Sequence, residues 1–305
     1  MNNNTQNIVD TYPINTVQQE HDINSVQQVS FWKPFGWTLA ILGVYLLTTI
    51  IAAVACIVLQ VDEYAMGMIS AMASGIMTSV FVIKKVPTRH KEQHPDEKSL
   101  KVKTPFKIYA IVVIMMITAI WGIQVVTGWI TEVSGEVGKE LMNQRMEEFS
   151  NSPVLLLLLL AIIIAPITEE IVFRYGIYGT LRRSTNIIIS ALLSAVIFGA
   201  IHYTFEALFY GGVIGIVFAL LYEYTRNIKV SITGHMTYNI SVIFVPHDMN
   251  ETISIPVEIL LITLAVAAFV SGLYYIQQWS IKQKEKKEHS QLLSQDNHLT
   301  ASYSI

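Results

Sequence analysis

Three short groups of polar residues interrupt the otherwise apolar second half of this 305-residue chain. They are Glu169-Glu170-x-x-x-Arg174, Phe198-x-x-x-His202 and His235-x-x-x-Asn239. Charged or titratable side chains are costly to place in hydrocarbon, so residues of this kind usually face a polar interior and have a function there. Carboxylates and imidazoles can activate water, and imidazole and amide groups can stabilise an oxyanion. The three groups therefore predict a water-activating, hydrolytic site inside a membrane.

The first group contains two adjacent carboxylates, and helix geometry predicts a different role for each. On a helix, neighbouring residues point about 100° apart, whereas residues four apart share one face. This spacing pairs Glu170 with Arg174 as a buried ion pair and leaves Glu169 as the free carboxylate, a candidate general base. Pro166 removes an amide donor from the same segment and should kink the helix and free a carbonyl. The structural alternative is that both acids and the arginine form one clamp between helices.

The other two groups each place a histidine four residues from a partner on a helix. The His202 ring can lie beneath the Phe198 phenyl, and Gly199 beside it allows another helix to approach closely. His235 and Asn239 share one face and can both donate hydrogen bonds to a developing oxyanion. The alternatives are an interfacial histidine at the end of a span and an Asn–His pair that joins two helices.

In order and spacing, the three groups resemble the motifs of the CAAX-protease and bacteriocin-processing (Abi) family of intramembrane endopeptidases. The resemblance covers roughly residues 150–245. It implies that Glu169 activates the water with help from His202, while His235 and Asn239 stabilise the oxyanion. The positions that it assigns to supporting roles are Glu170, Arg174 and Phe198. It also implies a bundle of about eight helices with a water-filled cavity open to the cytosol.

A metal is the alternative to purely glutamate-activated hydrolysis. Glu169, His202 and His235 could together bind zinc and leave a coordination position open for water. The chain has no His-Glu-x-x-His sequence, and an amide such as that of Asn239 is a poor zinc ligand but a good oxyanion donor. We therefore expect metal-free hydrolysis, with a zinc site as the alternative.

The composition is that of a polytopic membrane protein. Apolar residues make up 52% of the chain, and charged residues make up 14%, against about 25% in typical soluble domains. The mean hydropathy is +0.46. The net charge of −3 gives no indication of a nucleic-acid partner. The single cysteine, Cys56, cannot form a disulfide within the chain.

The apolar segments predict an all-α bundle of about eight transmembrane helices, since a span needs about 20 mostly apolar residues. The predicted spans are residues 37–59, 64–84, 108–130, 153–175, 187–203, 207–224, 229–246 and 256–277. Lys and Arg concentrate in alternate connections, which places both termini in the cytoplasm. The connection 131–152 is compatible with an amphipathic helix on the opposite side.

These spans leave one geometric difficulty. His235 lies about six residues from the cytoplasmic end of its span and His202 about fifteen from its own, which at about 1.5 Å per residue is a depth mismatch of about 13 Å. Tilted helices or different helix ends would absorb it.

The predicted organisation has five parts. They are a disordered polar cytoplasmic segment (1–32), N-terminal transmembrane helices and loops (33–147), a catalytic core (148–246), a last transmembrane helix (247–277) and a polar cytoplasmic tail (278–305). The first part is rich in Asn and Gln and poor in apolar residues, a composition typical of disorder.

The sequence thus predicts an integral membrane endopeptidase that cuts a peptide or a membrane-associated protein at or near the cytoplasmic face. Its Asn, Ile and Lys content favours a bacterial cell membrane, where bacteriocin maturation or immunity and regulated processing of membrane proteins use this chemistry. One alternative is a non-proteolytic membrane scaffold that regulates a sensor kinase or a cell-wall enzyme. Another is a carrier with the buried acids as a relay. Carriers commonly have internal repeats with paired broken helices, whereas the polar residues of this chain are confined to predicted spans four to seven, without a matching half.

Overall fold

The computed structural model describes residues 32–87, 103–202, 205–244 and 253–302, and within these ranges the chain forms nine helices and no strand. The helices are α1 (Trp32–Val58), α2 (Glu63–Lys85), α3 (Phe106–Val133), α4 (Gly135–Asn151), α5 (Val154–Leu181), α6 (Ile187–Ala200), α7 (Phe205–Thr225), α8 (Ile228–Phe244) and α9 (Ile255–Ser302). The predicted disordered segment lies, apart from Trp32, outside the described residues.

The prediction of an all-α polytopic membrane protein is confirmed. In the described part of the chain, six helices are long and apolar enough to cross a membrane, namely α1, α2, α3, α5, α7 and α9. Each of the eight predicted spans coincides over most of its described length with a helix. One is shorter than predicted, because α6 has 14 residues and ends at Ala200. The described part of α8 has 17 residues. The cytoplasmic location of both termini stays a prediction.

Several helix boundaries have local causes in the sequence. Asp62 caps α2 by accepting hydrogen bonds from the backbone amides of Tyr64 and Ala65. Asn186 caps α6 in the same way. Gly135, the first residue of α4, has a φ of +62°, a conformation that favours glycine, at the break between α3 and α4. The predicted helix in the connection 131–152 is therefore present as α4.

The outer surface of the bundle is apolar and several polar residues lie inside it. Leu46, Ile50 and Val54 of α1 are each more than half exposed. Ser74 of α2 and Ser194 of α6 are buried. This distribution matches a surface that contacts lipid tails.

Most of the buried apolar side chains among the described residues belong to two of three clusters. The first contains residues of α3, α7, α8 and α9, including Val112, Phe218 and Val230. The second contains residues of α1, α2, α5 and α6, including Ile177 and Phe198. Arg174 of α5 contacts both clusters, through the Phe218 ring of the first and the Phe198 ring of the second.

The helices α6 and α7 pack closely through glycine, which gives a test of the packing. A Cβ atom at Gly199 would lie 2.7 Å from the carbonyl oxygen and 3.0 Å from the Cα of Leu208, so backbone would have to move. We expect Gly199→Ala to lower the unfolding free energy by about 1–3 kcal/mol. At Gly212 no atom lies within 4 Å of such a Cβ, so Gly212→Ala should not destabilise the protein.

Thermal unfolding of the two purified variants in detergent measures this difference. Equal melting temperatures for Gly199→Ala and wild type would contradict the packing described for α6 and α7.

The last helix is much longer than a membrane requires. Its 48 residues correspond to a length of about 72 Å. It continues beyond residue 277, where the predicted span ends, and so includes most of the predicted polar tail. Cys56 is a buried free thiol, as expected for a lone cysteine.

Candidate active site

The helix α5, which carries both glutamates, is irregular. Its second part is π-helical over Leu159–Ile164, α-helical over Ala165–Glu169 and π-helical again over Glu170–Tyr178. In the first π segment the amide of Ala165 donates to the carbonyl of Leu160, five residues earlier. Segments of π-helix are rare in proteins, and those that occur often lie at functional sites. The two glutamates lie where the α-helical part meets the second π segment.

Glu170 is the buried anchor of the site. Its Oε2 lies 3.3 Å from Nε of Arg174, and both side chains are fully buried. Its Oε1 lies 2.9 Å from Nδ1 of His235, and the hydroxyl of Ser231 donates to Oε2. The ion pair predicted from the four-residue spacing is therefore present. Because both carboxylate oxygens are occupied, Glu170 is not the carboxylate that is open to a reacting molecule.

Arg174 is fixed by aromatic rings as well as by its carboxylate partner. The centre of its guanidinium lies 4.4 Å from the Phe198 ring centroid and 5.2 Å from that of Phe218. One terminal nitrogen lies 3.4 Å from the carbonyl oxygen of Gly215. A cation over aromatic faces in a desolvated place is strongly held. Arg174 thus joins α5 to both α6 and α7.

His235 connects the two glutamates through opposite ring nitrogens. Nδ1 faces Glu170, and Nε2 lies 3.7 Å from Oε2 of Glu169. The ring stacks on Phe218, with centroids 4.8 Å apart and planes 23° apart, and contacts Phe198 edge-on. A carboxylate only accepts hydrogen bonds, so Nδ1 carries hydrogen and Nε2 is the nitrogen available for chemistry.

Glu169 is the more accessible of the two acids. Its side chain is 18% exposed, whereas that of Glu170 is fully buried. The 3.7 Å separation from His235 exceeds hydrogen-bond length. The Glu169 carboxylate and Nε2 of His235 are thus placed so that one reacting molecule can contact both.

His202 lies just beyond the end of α6 and is exposed. Its Nδ1 lies 2.9 Å from the carbonyl oxygen of Phe198, and its ring meets the Phe198 ring edge-on at 5.2 Å. The predicted Phe198–His202 contact is therefore present. Because a carbonyl only accepts, Nδ1 is the protonated nitrogen, and Nε2 is free in the neutral ring to accept a proton. The Phe198 ring also contacts the ring of His235, which lies beside both glutamates. Phe198 therefore connects His202 to the rest of the site.

Asn239 lies one turn beyond His235 on α8. Its Nδ2 donates to the carbonyl oxygen of Ala161 on α5, at 2.8 Å. Two residues of the site were missed from the sequence, Ser231 and Phe218. Ser231 could have been found because it lies four residues before His235 and so shares its helix face. Phe218 carried no such signal.

The residues of the zinc alternative do not gather. Among the described residues, no group of three or more His, Cys, Asp or Glu side chains is placed to hold a metal ion. Of the two histidines, only His235 lies within ion-pair distance of the glutamates in this part of the chain. Metal-free hydrolysis, with zinc as its alternative, therefore stays a prediction.

The fold and site define a polytopic helical membrane protein with a buried Glu–His–Glu–Arg cluster. Residues 151–241, which contain all three sequence groups, match the family model described as type II CAAX prenyl endopeptidase Rce1-like. The resemblance to the CAAX-protease family is thereby confirmed over this segment of the chain.

Two named relatives are similar over part of the chain. A Bacillus subtilis protein named "Putative membrane peptidase YdiL" is 36% identical over 107 residues, which are 35% of this chain and 44% of the relative. The Staphylococcus aureus "Membrane-embedded CAAX protease MroQ" is 29% identical over 171 residues, which are 49% of this chain and 63% of the relative. The chain thus matches less than two thirds of either relative. No solved structure is significantly similar to it.

Proposed function

We propose that this protein is an integral membrane endopeptidase that hydrolyses a peptide bond by glutamate-activated water. The observation that carries the proposal is the pair of unlike carboxylates on α5. Glu170 is neutralised by Arg174 and fixes His235, while Glu169 faces the other nitrogen of the same ring. The match of residues 151–241 to a family model of endopeptidases supports this class of reaction.

In the proposed reaction, Glu169 removes a proton from water as the oxygen attacks the carbonyl carbon of the peptide. The carbonyl oxygen becomes an oxyanion. In its protonated form, His235 keeps Nδ1–H on Glu170 and directs Nε2–H to that oxyanion. The C–N bond then breaks, the carbonyl reforms, and the proton held by Glu169 passes to the leaving amine. No metal takes part in this scheme.

His202 assists from the exposed end of α6. Its Nδ1 is committed to the Phe198 carbonyl, so its Nε2 is available to accept a hydrogen bond from the water. In this scheme Phe198 sets the distance between the two imidazoles, since its ring contacts both. We propose peptides or membrane-associated proteins as substrates, with the lipid bilayer as the surroundings of the reaction.

A comparison of peptide termini in cells tests the proposal. Three strains are compared, carrying wild type, Glu169→Gln and no protein, with the first two matched for expression and membrane insertion. We expect certain new termini with wild type only, and these would identify the substrate. Identical termini for wild type and Glu169→Gln, together with a phenotype for the deletion, would contradict the proposal and favour a non-proteolytic scaffold.

A further inference from the structure

Pro166 leaves a backbone acceptor on α5 without its expected donor. In the π segment a carbonyl accepts from the amide five residues later, as the Ala165–Leu160 bond shows. The next bond of that series would join the amide of residue 166 to the carbonyl of Ala161. Proline has no amide hydrogen, so this bond cannot form. In a lipid environment such a carbonyl needs another donor.

Asn239 supplies that donor from a different helix. Its Nδ2 lies 2.8 Å from the Ala161 oxygen, a normal hydrogen-bond length. The side-chain amide of Asn239 thus occupies the place that a backbone amide at residue 166 would have filled.

The same face of α8 contacts α5 at a second position along the helix. Ser231, His235 and Asn239 are spaced by four residues, so they line one face of the helix. Ser231 and His235 both contact Glu170, while Asn239 contacts Ala161, nine residues earlier on α5. These two contacts on one face of α8 fix the rotation of α5 about its own axis and its position along α8.

The resemblance implies that Asn239 is an oxyanion donor, but from this geometry we infer that it is a positioning residue, which replaces the missing amide of Pro166 and holds the π register of α5. Glu169 follows the π segment by five residues, so the register of that segment sets the direction of its carboxylate. Loss of the register would rotate Glu169 away from Nε2 of His235. The catalytic part of this inference rests on the proposed function, whereas the coupling between positions 166 and 239 does not.

Four variants test the coupling: Asn239→Ala, Pro166→Ala, the double variant, and Ser241→Ala as a control. Ser241 is a partly buried polar residue of α8 whose hydroxyl bonds within its own helix, to Thr237. We expect Asn239→Ala to melt at a lower temperature than wild type. Because Pro166→Ala restores an amide hydrogen, the double variant should regain most of that loss. Ser241→Ala should melt like wild type.

Catalysis supplies the second readout, on a substrate identified by the termini experiment. We expect Asn239→Ala to lower kcat by about 10²-fold with little change in KM, the size of effect that a misplacement of about 1 Å can cause. Pro166→Ala alone should be active, and the double variant should recover most of the lost kcat.

The outcomes separate the two proposals. A double variant as unstable and inactive as Asn239→Ala, or an inactive Pro166→Ala, would overturn the inference and assign the amide of Asn239 to the substrate instead. If melting temperatures show the coupling but wild type and Glu169→Gln cleave nothing, the inference on register holds and the proposed function fails.

Discussion

Glu169→Gln is expected to lower the rate of peptide-bond hydrolysis by about 10²–10⁴-fold, the usual contribution of a general base. The amide has nearly the shape of the carboxylate but cannot take a proton from water. The fold should survive, because the Glu169 side chain is 18% exposed and lies 3.7 Å from its nearest ionic partner. The rate should be measured on purified protein in lipid vesicles, with a substrate identified from new termini in cells.

Glu136→Gln is the matched control for this variant. Glu136 lies in the first turn of α4 and is exposed, so its change to an amide should leave the rate unaltered. If Glu169→Gln retained more than about a tenth of the wild-type rate, the carboxylate would not be the general base. The neighbouring Glu170 and His235 would then need to be reconsidered as the general base.

Arg174→Met is expected to cost about 3–5 kcal/mol of unfolding free energy, because it leaves the carboxylate of Glu170 buried without its cation. Both side chains are fully buried, so water cannot replace the guanidinium. The change also removes the cation from between the rings of Phe198 and Phe218. Unfolding of the purified variant in detergent should therefore begin at a clearly lower temperature, with activity lost as the site disassembles.

Arg226→Met provides the comparison for Arg174→Met. Arg226, the residue after α7, also pairs with a glutamate, Glu223 of α7, at 2.7 Å, but the Arg226 side chain is 30% exposed. A partly exposed pair of this kind is expected to contribute about 1 kcal/mol or less. Equal losses for the two variants would mean that the Glu170–Arg174 pair is no more important than a peripheral one.

The contrast between Glu169 and Glu170 was predictable from the sequence, because four-residue spacing is a strong constraint on a helix. The same reasoning placed Phe198 against His202. The spans were predictable from apolar length alone. These features depend on residue types and periodicity, which the sequence carries directly.

The π segments of α5 were not predictable in the same way. Runs of Leu, Ile and Ala are compatible with either helical register, and the choice depends on contacts with other helices. The bond from Asn239 to Ala161 ends on a backbone carbonyl, which leaves no mark in the sequence. Only Pro166 indicated that a carbonyl of this segment would be freed, and the sequence did not show which group would bind it.

The expected depth mismatch between His202 and His235 arose from treating the two spans as full-length and parallel. In the structure α6 ends at Ala200, and the Phe198 ring contacts both imidazoles. The Phe198 side chain therefore connects the two histidines, which the predicted spans had placed at different depths.

The short helix α6 has a consequence for the surrounding lipid. Its 14 residues measure about 21 Å, against a hydrocarbon thickness of about 30 Å. The polar His202 follows at its end, so hydrocarbon of full thickness would cover that imidazole. A bilayer usually adapts to a short helix by thinning around it, at a modest cost per ångström. We therefore expect the bilayer to thin around α6, which would shorten the distance that water travels to Glu169. Longer lipid tails would make that thinning more costly, so we expect the rate of the proposed hydrolysis to depend on membrane thickness.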